Sequence, residues 1–248
     1  MSELSEQIAA NKRKAYTLVG GFALVFWIVG VAITLLLLPL LALLWTLVVI
    51  GAAIALYRSG DKAALAITHA QPAGEQEYAR FYNLVEGLCI ASGLPAPGLY
   101  VIDDPAPNAF SVGREPKSAA LVVTTGLLEK LNRMELEGVL AHELSHIRNY
   151  DILPMTLAVT MARLLVAPPL VAFVTKFAVS PEREYDADAS GAQLTRYPPG
   201  LISALEKLKD DTTSVHSTSK ATAHLWIEQP LDDTHPPLDA RIRALQGM

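Results

Sequence analysis

The chain of 248 residues has a single cysteine, Cys89, so no disulfide can form within it and nothing demands an oxidising compartment. Cys89 reads as a small apolar residue buried in a helix. An excess of positive charge is also missing. The net charge is −5, and a nucleic-acid partner, which needs a basic face, is not expected. There is no internal repeat. The most informative absence is local: residues 15–57 contain no Asp, Glu, Lys, Arg or His.

What fills that gap is apolar sequence. Hydrophobic residues make up 51% of the chain and charged residues 18%, greasier than an ordinary soluble domain, and the excess lies in the first sixty residues and in residues 152–179. One membrane-spanning helix needs about 20 apolar residues, so the uncharged run is long enough for two. Pro39 lies near its middle, which predicts a transmembrane helical hairpin of residues 15–38 and 40–57. Lys12, Arg13 and Lys14 precede it, and Arg58 and Lys62 follow it. A hairpin puts both flanks on one side of the bilayer, and basic flanks stay cytoplasmic. The expected organisation is a cytoplasmic tail (1–14), the hairpin (15–57) and a cytoplasmic domain (58–248) of a cell-membrane protein. A cleaved signal peptide is the alternative, since Ala53-Ile-Ala55 resembles a cleavage site. The apolar run is several times longer than a signal peptide requires.

The remainder reads as α+β, predominantly helical, with a small β-sheet. Residues 58–77 form a polar exit with breakers at Gly60, Pro72 and Gly74. Phe81, Leu84, Val85 and Leu88 recur at helical spacing within 75–92, and Gly93 and Pro95 end that helix. A short strand is expected at 99–102, then a β-hairpin of 108–112 and 120–124 around the polar turn 113–118. Helix is expected from Gly126, interrupted near Asn132 and resuming through 134–149. Residues 152–179 are apolar but carry Arg163, Lys176 and a Pro168-Pro169 break. Ser180 and Pro181 suit the N-cap and first position of another helix. Residues 210–223 read as an exposed loop, and a short helix follows Pro237.

His142-Glu-Leu-Ser-His146 fits H-E-x-x-H where a helix is independently expected. Positions i and i+4 share a helix face, so both imidazoles can reach one ion. A catalytic Zn²⁺ takes such nitrogens and keeps one position open for water. Glu143, offset by one residue, projects beside the ion and can take a proton from that water. The alternative is a surface helix with two incidental histidines. The apolar surroundings Gly138-Val-Leu-Ala141 and Leu144 would bury them, and buried imidazoles need partners.

A third ligand is still required, and a carboxylate from another helix would complete a His₂Glu set. Glu182, Glu184, Asp186 and Asp188 are the candidates. Glu184 and Asp188 share a helix face, while Glu182 and Asp186 fit a solvated one. One of the first pair could ligate the ion while the other orients a histidine. Spacing does not distinguish which does which.

Taken together, Asn108-Ala-Phe110, the H-E-x-x-H motif followed by Asn149 and Asp151, Arg183-Glu-Tyr-Asp-Ala-Asp188, and Thr234-His-Pro-Pro237 with Arg241 resemble the HtpX-like proteases. These are membrane zinc endopeptidases related to the CAAX prenyl endopeptidases. The motifs run in the family's order over nearly the whole chain. The resemblance implies a zincin-like domain, one Zn²⁺ per chain, and cleavage of membrane or misfolded polypeptides at the cytoplasmic face, in quality control or a stress response. It implies Glu184 as third ligand and Asp188 as the residue orienting His142. Asn108, Ala109 and Phe110 would open a strand that pairs with extended substrate. His235 becomes a candidate donor to the oxyanion, with loop packing as its alternative. His69, His216 and His224 match no motif and read as surface or packing residues.

One departure from the family is a short interval. Only residues 147–183 separate the H-E-x-x-H helix from Glu184, where HtpX-like proteins have room for further membrane helices. Both flanks serve one ion, so crossings must be even in number. Two would leave about 14 residues each, roughly 21 Å of helix against a hydrocarbon core of about 30 Å. Residues 152–179 are therefore expected to form a helix–break–helix packed on the domain or dipping into the interface. Processing of prenylated peptides is disfavoured because those relatives build a chamber from many membrane helices. A non-catalytic adaptor would have no use for Glu143. The sequence says nothing of oligomeric state.

Overall fold

The structure is a computed structural model that describes residues 2–37, 39–164, 180–211, 213, 227 and 236–248. Its elements are α1 (Ser2–Leu37), α2 (Pro39–Ile67), β1 (Gln71–Pro72), α3 (Ala79–Ser92), β2 (Gly98–Ile102), β3 (Ala109–Val112), β4 (Ala120–Thr124), α4 (Thr125–Lys130), α5 (Arg133–Asn149), α6 (Ile152–Leu164), α7 (Pro181–Thr195), α8 (Pro198–Asp210) and α9 (Leu238–Gln246).

Helices α1 and α2 form the hairpin, turning at Pro39. Leu24, Ile28 and Leu35 on one, and Leu43, Leu47 and Ile50 on the other, are each more than half exposed. Core helices of a soluble protein would bury such side chains; these are lipid-facing. Two hydrogen bonds tie the helices together, Trp27 Nε1 to Thr46 Oγ1 at 2.7 Å and Trp45 Nε1 to the Phe26 carbonyl at 3.1 Å.

Both helices outrun the uncharged segment. At 1.5 Å per residue, the 36 residues of α1 measure about 54 Å, well beyond the hydrocarbon thickness. The excess packs on the domain. Gly60, a breaker on composition alone, stays helical because α2 meets α6 closely there. A Cβ at Gly60 would lie 3.3 Å from Thr156 Cγ2.

The sheet has the order β1-β2-β4-β3, with β2 parallel to β4 and β3 antiparallel to β4 at an edge. The expected β-hairpin is present, with Ala109 opposite Val123 and Val112 opposite Ala120. Side chains alternate between two buried faces, as the strand period of two requires. Ala109, Leu121 and Val123 join a core with α3, α5 and α8. Phe110, Val112, Ala120 and Val122 join a second core with Leu153 and Leu157 of α6, and with Ala15, Leu18 and Ala64 from the hairpin's base.

Helix α5 begins where the sequence suggested an interruption. Asn132 accepts from the backbone N–H groups of Met134 and Glu135, and Glu135 accepts from the Asn132 N–H, a capping box. Ser180 and Pro181 open α7 as expected, but the Ser180 hydroxyl turns to the Glu182 carboxylate instead of a backbone N–H. Helix α6 packs between the hairpin helices α1 and α2 and the domain's strand β3. The Pro168-Pro169 break, His216, His224 and His235 lie outside the described residues.

Candidate metal centre

Helix α5 is buried on most of its circumference, so its polar side chains need internal partners. His142 and His146 lie one turn apart, 1% and 4% exposed, with their Nε2 atoms 3.2 Å from each other. Helix α7 crosses α5 at very short range: a Cβ on Gly191 would come within 2.9 Å of the His142 backbone nitrogen. That approach brings in two acids one turn apart. Glu184 Oε1 is 3.5 Å from His146 Nε2, and Glu184 Oε2 is 3.6 Å from His142 Nε2.

These separations suit a metal. Ligand atoms set tetrahedrally at about 2.0–2.1 Å from one ion lie roughly 3.3 Å apart. The two imidazole nitrogens stand at that spacing and each has one Glu184 oxygen close to it; taken one atom per residue, the three buried side chains lie within 4.8 Å of one another and form a group able to hold a metal ion. The donor set and its spacing both fit zinc.

The other ring nitrogens are held by carboxylates. His142 Nδ1 is 2.9 Å from Asp188 Oδ1, and His146 Nδ1 is 3.1 Å from Asp151 Oδ2. An Nδ1–H donated to a carboxylate leaves the Nε2 lone pair for an ion. Burial disfavours a charged His146, but the Asp151 hydrogen bond and the Glu184, Asp151 and Glu143 charges outweigh it and push its pKa up to about 9, so an ion on Nε2 takes the place of a proton there. Asp188 is gripped from behind by the fully buried Arg241, whose Nη2 and Nε donate to its two oxygens at 2.6 and 2.8 Å. Burial alone would raise the Asp188 pKa; Arg241 and His142 hold it well below the usual carboxylate range. Arg241 Nη1 also lies 3.2 Å from Glu184 Oε2, so one guanidinium balances both Glu184 and Asp188.

Glu143 points toward the edge strand. Its Oε2 accepts from the Ser111 hydroxyl of β3 at 2.8 Å, and the side chain is buried. Asn108 precedes that strand and Ala109 opens it; the Phe110 side chain turns into the second core and its backbone faces β4, so the backbone turned to the open edge is that of Ala109 and Ser111. The Ala109 carbonyl accepts from the Ile227 N–H at 3.1 Å, and the Ile227 carbonyl accepts from Arg241. His69 is exposed just beyond α2, with φ of 57°.

Thus His142, His146, Glu184 and Asp188 come together, with Glu143 beside them. Three partners carried no role in the sequence. Asp151 and Arg241 were motif positions only, though a buried Arg signals a paired acid. Ser111 was overlooked, although a hydroxyl in the apolar strand Ala-Phe-Ser-Val needs an acceptor.

Known proteins agree with this geometry. The profile of peptidase family M48 matches residues 75–248. A protease HtpX homolog of Dictyoglomus thermophilum is 38% identical over 98% of this chain and 94% of its own. One of Listeria innocua is 34% identical over 99% of this chain and 100% of its own. These alignments run to 285 and 310 positions on a chain of 248, so the relatives carry segments that it lacks. The crystal structure of S. mikatae Ste24p has the same fold, with a TM-score of 0.52 and 19% identity over 99% of this chain and 67% of that one. The hairpin anchors the protein in the cell membrane with the catalytic domain on the cytoplasmic side, where its basic flanks lie. The chain belongs to peptidase family M48, as a membrane-anchored zinc metalloendopeptidase of the HtpX type.

Proposed function

We propose that His142, His146 and Glu184 hold one Zn²⁺ per chain, that Glu143 is the general base, and that the substrates are membrane or misfolded polypeptides reached from the cytoplasmic face. The observation that carries this is the pair of imidazole Nε2 atoms 3.2 Å apart, each 3.5–3.6 Å from one oxygen of Glu184, with a buried carboxylate alongside. A bound zinc ion supplies Lewis acidity, making water ionisable near neutral pH and polarising a carbonyl.

The chain's own groups do the rest. Asp188 and Asp151 fix the imidazole tautomers and orientations. Glu143, kept in place by Ser111, takes a proton from the attacking water and returns it to the leaving amine. Strand β3, at the sheet's edge, turns the backbone of Ala109 and Ser111 outward toward an extended substrate, while Asn108 and Phe110 hold the strand in register against β4. Ile227 takes the Ala109 carbonyl and so borders that edge. His235 is our candidate donor to the oxyanion. The tail (1–14), hairpin (15–57) and catalytic domain (58–248) are the units we assign to this work.

Glu143→Gln tests the central role. It should retain stoichiometric zinc while peptide cleavage drops by at least about 10²-fold, the lower end of what a positioned base contributes. Near-normal cleavage by a zinc-loaded variant would require a different base.

A further inference from the structure

The turn after α5 is gripped by the membrane anchor. Asn11 lies on α1, one turn before the uncharged segment begins, yet it is only 4% exposed. Its Nδ2 donates to the Asn149 carbonyl at 2.8 Å and to Asp151 Oδ1 at 2.6 Å. An amide NH₂ has two hydrogens, and this pair of bonds uses both. The first acceptor is one of the carbonyls that α5 leaves without a helical partner at its C-terminus. The second belongs to the carboxylate whose other oxygen faces His146 Nδ1. Lys12, the next residue, sits over the Tyr150 ring at 4.3 Å from its centroid. Tyr150 is the left-handed C-cap of α5, with φ of 61°.

We infer that Asn11 is a positioning residue for the metal site: it holds Asp151, and through Asp151 the imidazole of His146, so the membrane anchor supplies part of the metal site's support. This rests on the reading of His146 as a metal ligand. The logic is geometric. Asp151 follows α5 in a tight turn, and a carboxylate there can rotate away from His146 unless its second oxygen is fixed. Arg183 Nε stands 3.5 Å from Oδ1, a looser contact than the 2.6 Å bond from Asn11. Asn11 also sets the backbone of the turn by engaging Asn149. The histidine is therefore oriented by a residue 135 positions earlier in the chain, on the helix that continues into the bilayer. When α1 is docked, His146 presents Nε2 to the ion; when α1 is displaced, the same imidazole is free to turn.

The test uses the full-length protein in detergent micelles, with zinc affinity measured by chelator competition and cleavage of a reporter peptide followed at limiting and saturating zinc. Asn11→Leu preserves bulk and removes both bonds. It should weaken zinc binding about tenfold, the lower end of the range for groups that orient a metal ligand. Its cleavage defect should be restored by excess zinc, with KM unchanged. Combined with Asp151→Asn, its effect should be far less than additive, because both substitutions break one linkage. Gln7→Ala, which removes the Gln7–Asp186 hydrogen bond of the same helix, should leave zinc affinity unaltered. If Asn11→Leu does not accumulate as folded protein, Asn11→Ala carries the same measurements.

Wild-type zinc affinity in the Asn11 variants, or full additivity with Asp151→Asn, would overturn the inference. His146→Ala separates the two levels. Loss of zinc there with unchanged affinity in the Asn11 variants leaves the metal site standing and removes Asn11 from it. Unchanged affinity in His146→Ala overturns both.

Discussion

A general base, the role we propose for Glu143, is useful only if its carboxylate stays where the reacting water is, and among the described residues the Ser111 hydroxyl fixes that carboxylate with a bond of 2.8 Å. Ser111→Ala leaves the pairing of β3 intact and releases that carboxylate. We expect kcat to fall about tenfold, part of the roughly 10²–10⁴-fold that a positioned base supplies, with zinc content unchanged. An unaltered kcat at full zinc occupancy would show that the bond does not set the base. At this scale the sequence was legible where chemistry is written contiguously. His142, Glu143 and His146 share one helix turn, and Glu184 and Asp188 share another. The groups that hold them were less so, because Ser111, Asp151, Arg241 and Asn11 reach the site through tertiary contacts that no local spacing encodes.

At the scale of elements, two junctions besides the Asn11 contact hold the helix carrying the histidines. One is its N-terminus, where Glu135 closes the capping box and also accepts from Ser203 and Lys207 of α8, each at 2.7 Å. Burial works against the charge of Glu135, but the bonds from Lys207, the Asn132 N–H and Ser203 outweigh it and hold its pKa below the usual value. A depressed folded-state pKa stabilises the fold above the unfolded pKa of about 4.3, and that contribution disappears as pH falls through the folded value. Glu135→Gln should therefore cost about 1–2 kcal/mol at pH 7, and the gap from wild type should close below about pH 4 in urea unfolding. A gap independent of pH would place the cost in packing instead. The other junction is Gly191, where α7 approaches α5. Gly191→Ala puts a methyl 2.9 Å from the His142 nitrogen, so the helices must part and carry Glu184 and Asp188 with them. A loss of about 1–3 kcal/mol is expected, together with weaker zinc binding by titration. Unchanged values for both would mean that the crossing has slack. Periodicity located these helices well, but composition misjudged Gly60 as a breaker. Glycine in a helix costs about 1 kcal/mol relative to Ala, and the close packing of α2 on α6 offsets that here.

For the molecule as a whole, the hairpin is more than a tether. Lack of charge identified it, and basic flanks oriented it, but neither signal shows that its base completes the second core. Ala15, Leu18 and Ala64 pack there with Phe110 and Val122 of the sheet and Leu157 of α6. The strand that carries Ser111 thus rests, on its far face, against helices that enter the bilayer. Residues 58–248 expressed alone would keep Ala64 but lose Ala15, Leu18 and Asn11. Removing Leu18 alone forfeits about 1.5–3 kcal/mol of burial, and the uncovered apolar patch adds a drive to aggregate. The fragment should be poorly soluble without detergent, unfold at a lower temperature than the full chain, and bind zinc more weakly. Calorimetry and zinc titration of the two proteins in the same detergent check this. A fragment matching the full chain in both would mean that the catalytic domain is complete without its anchor.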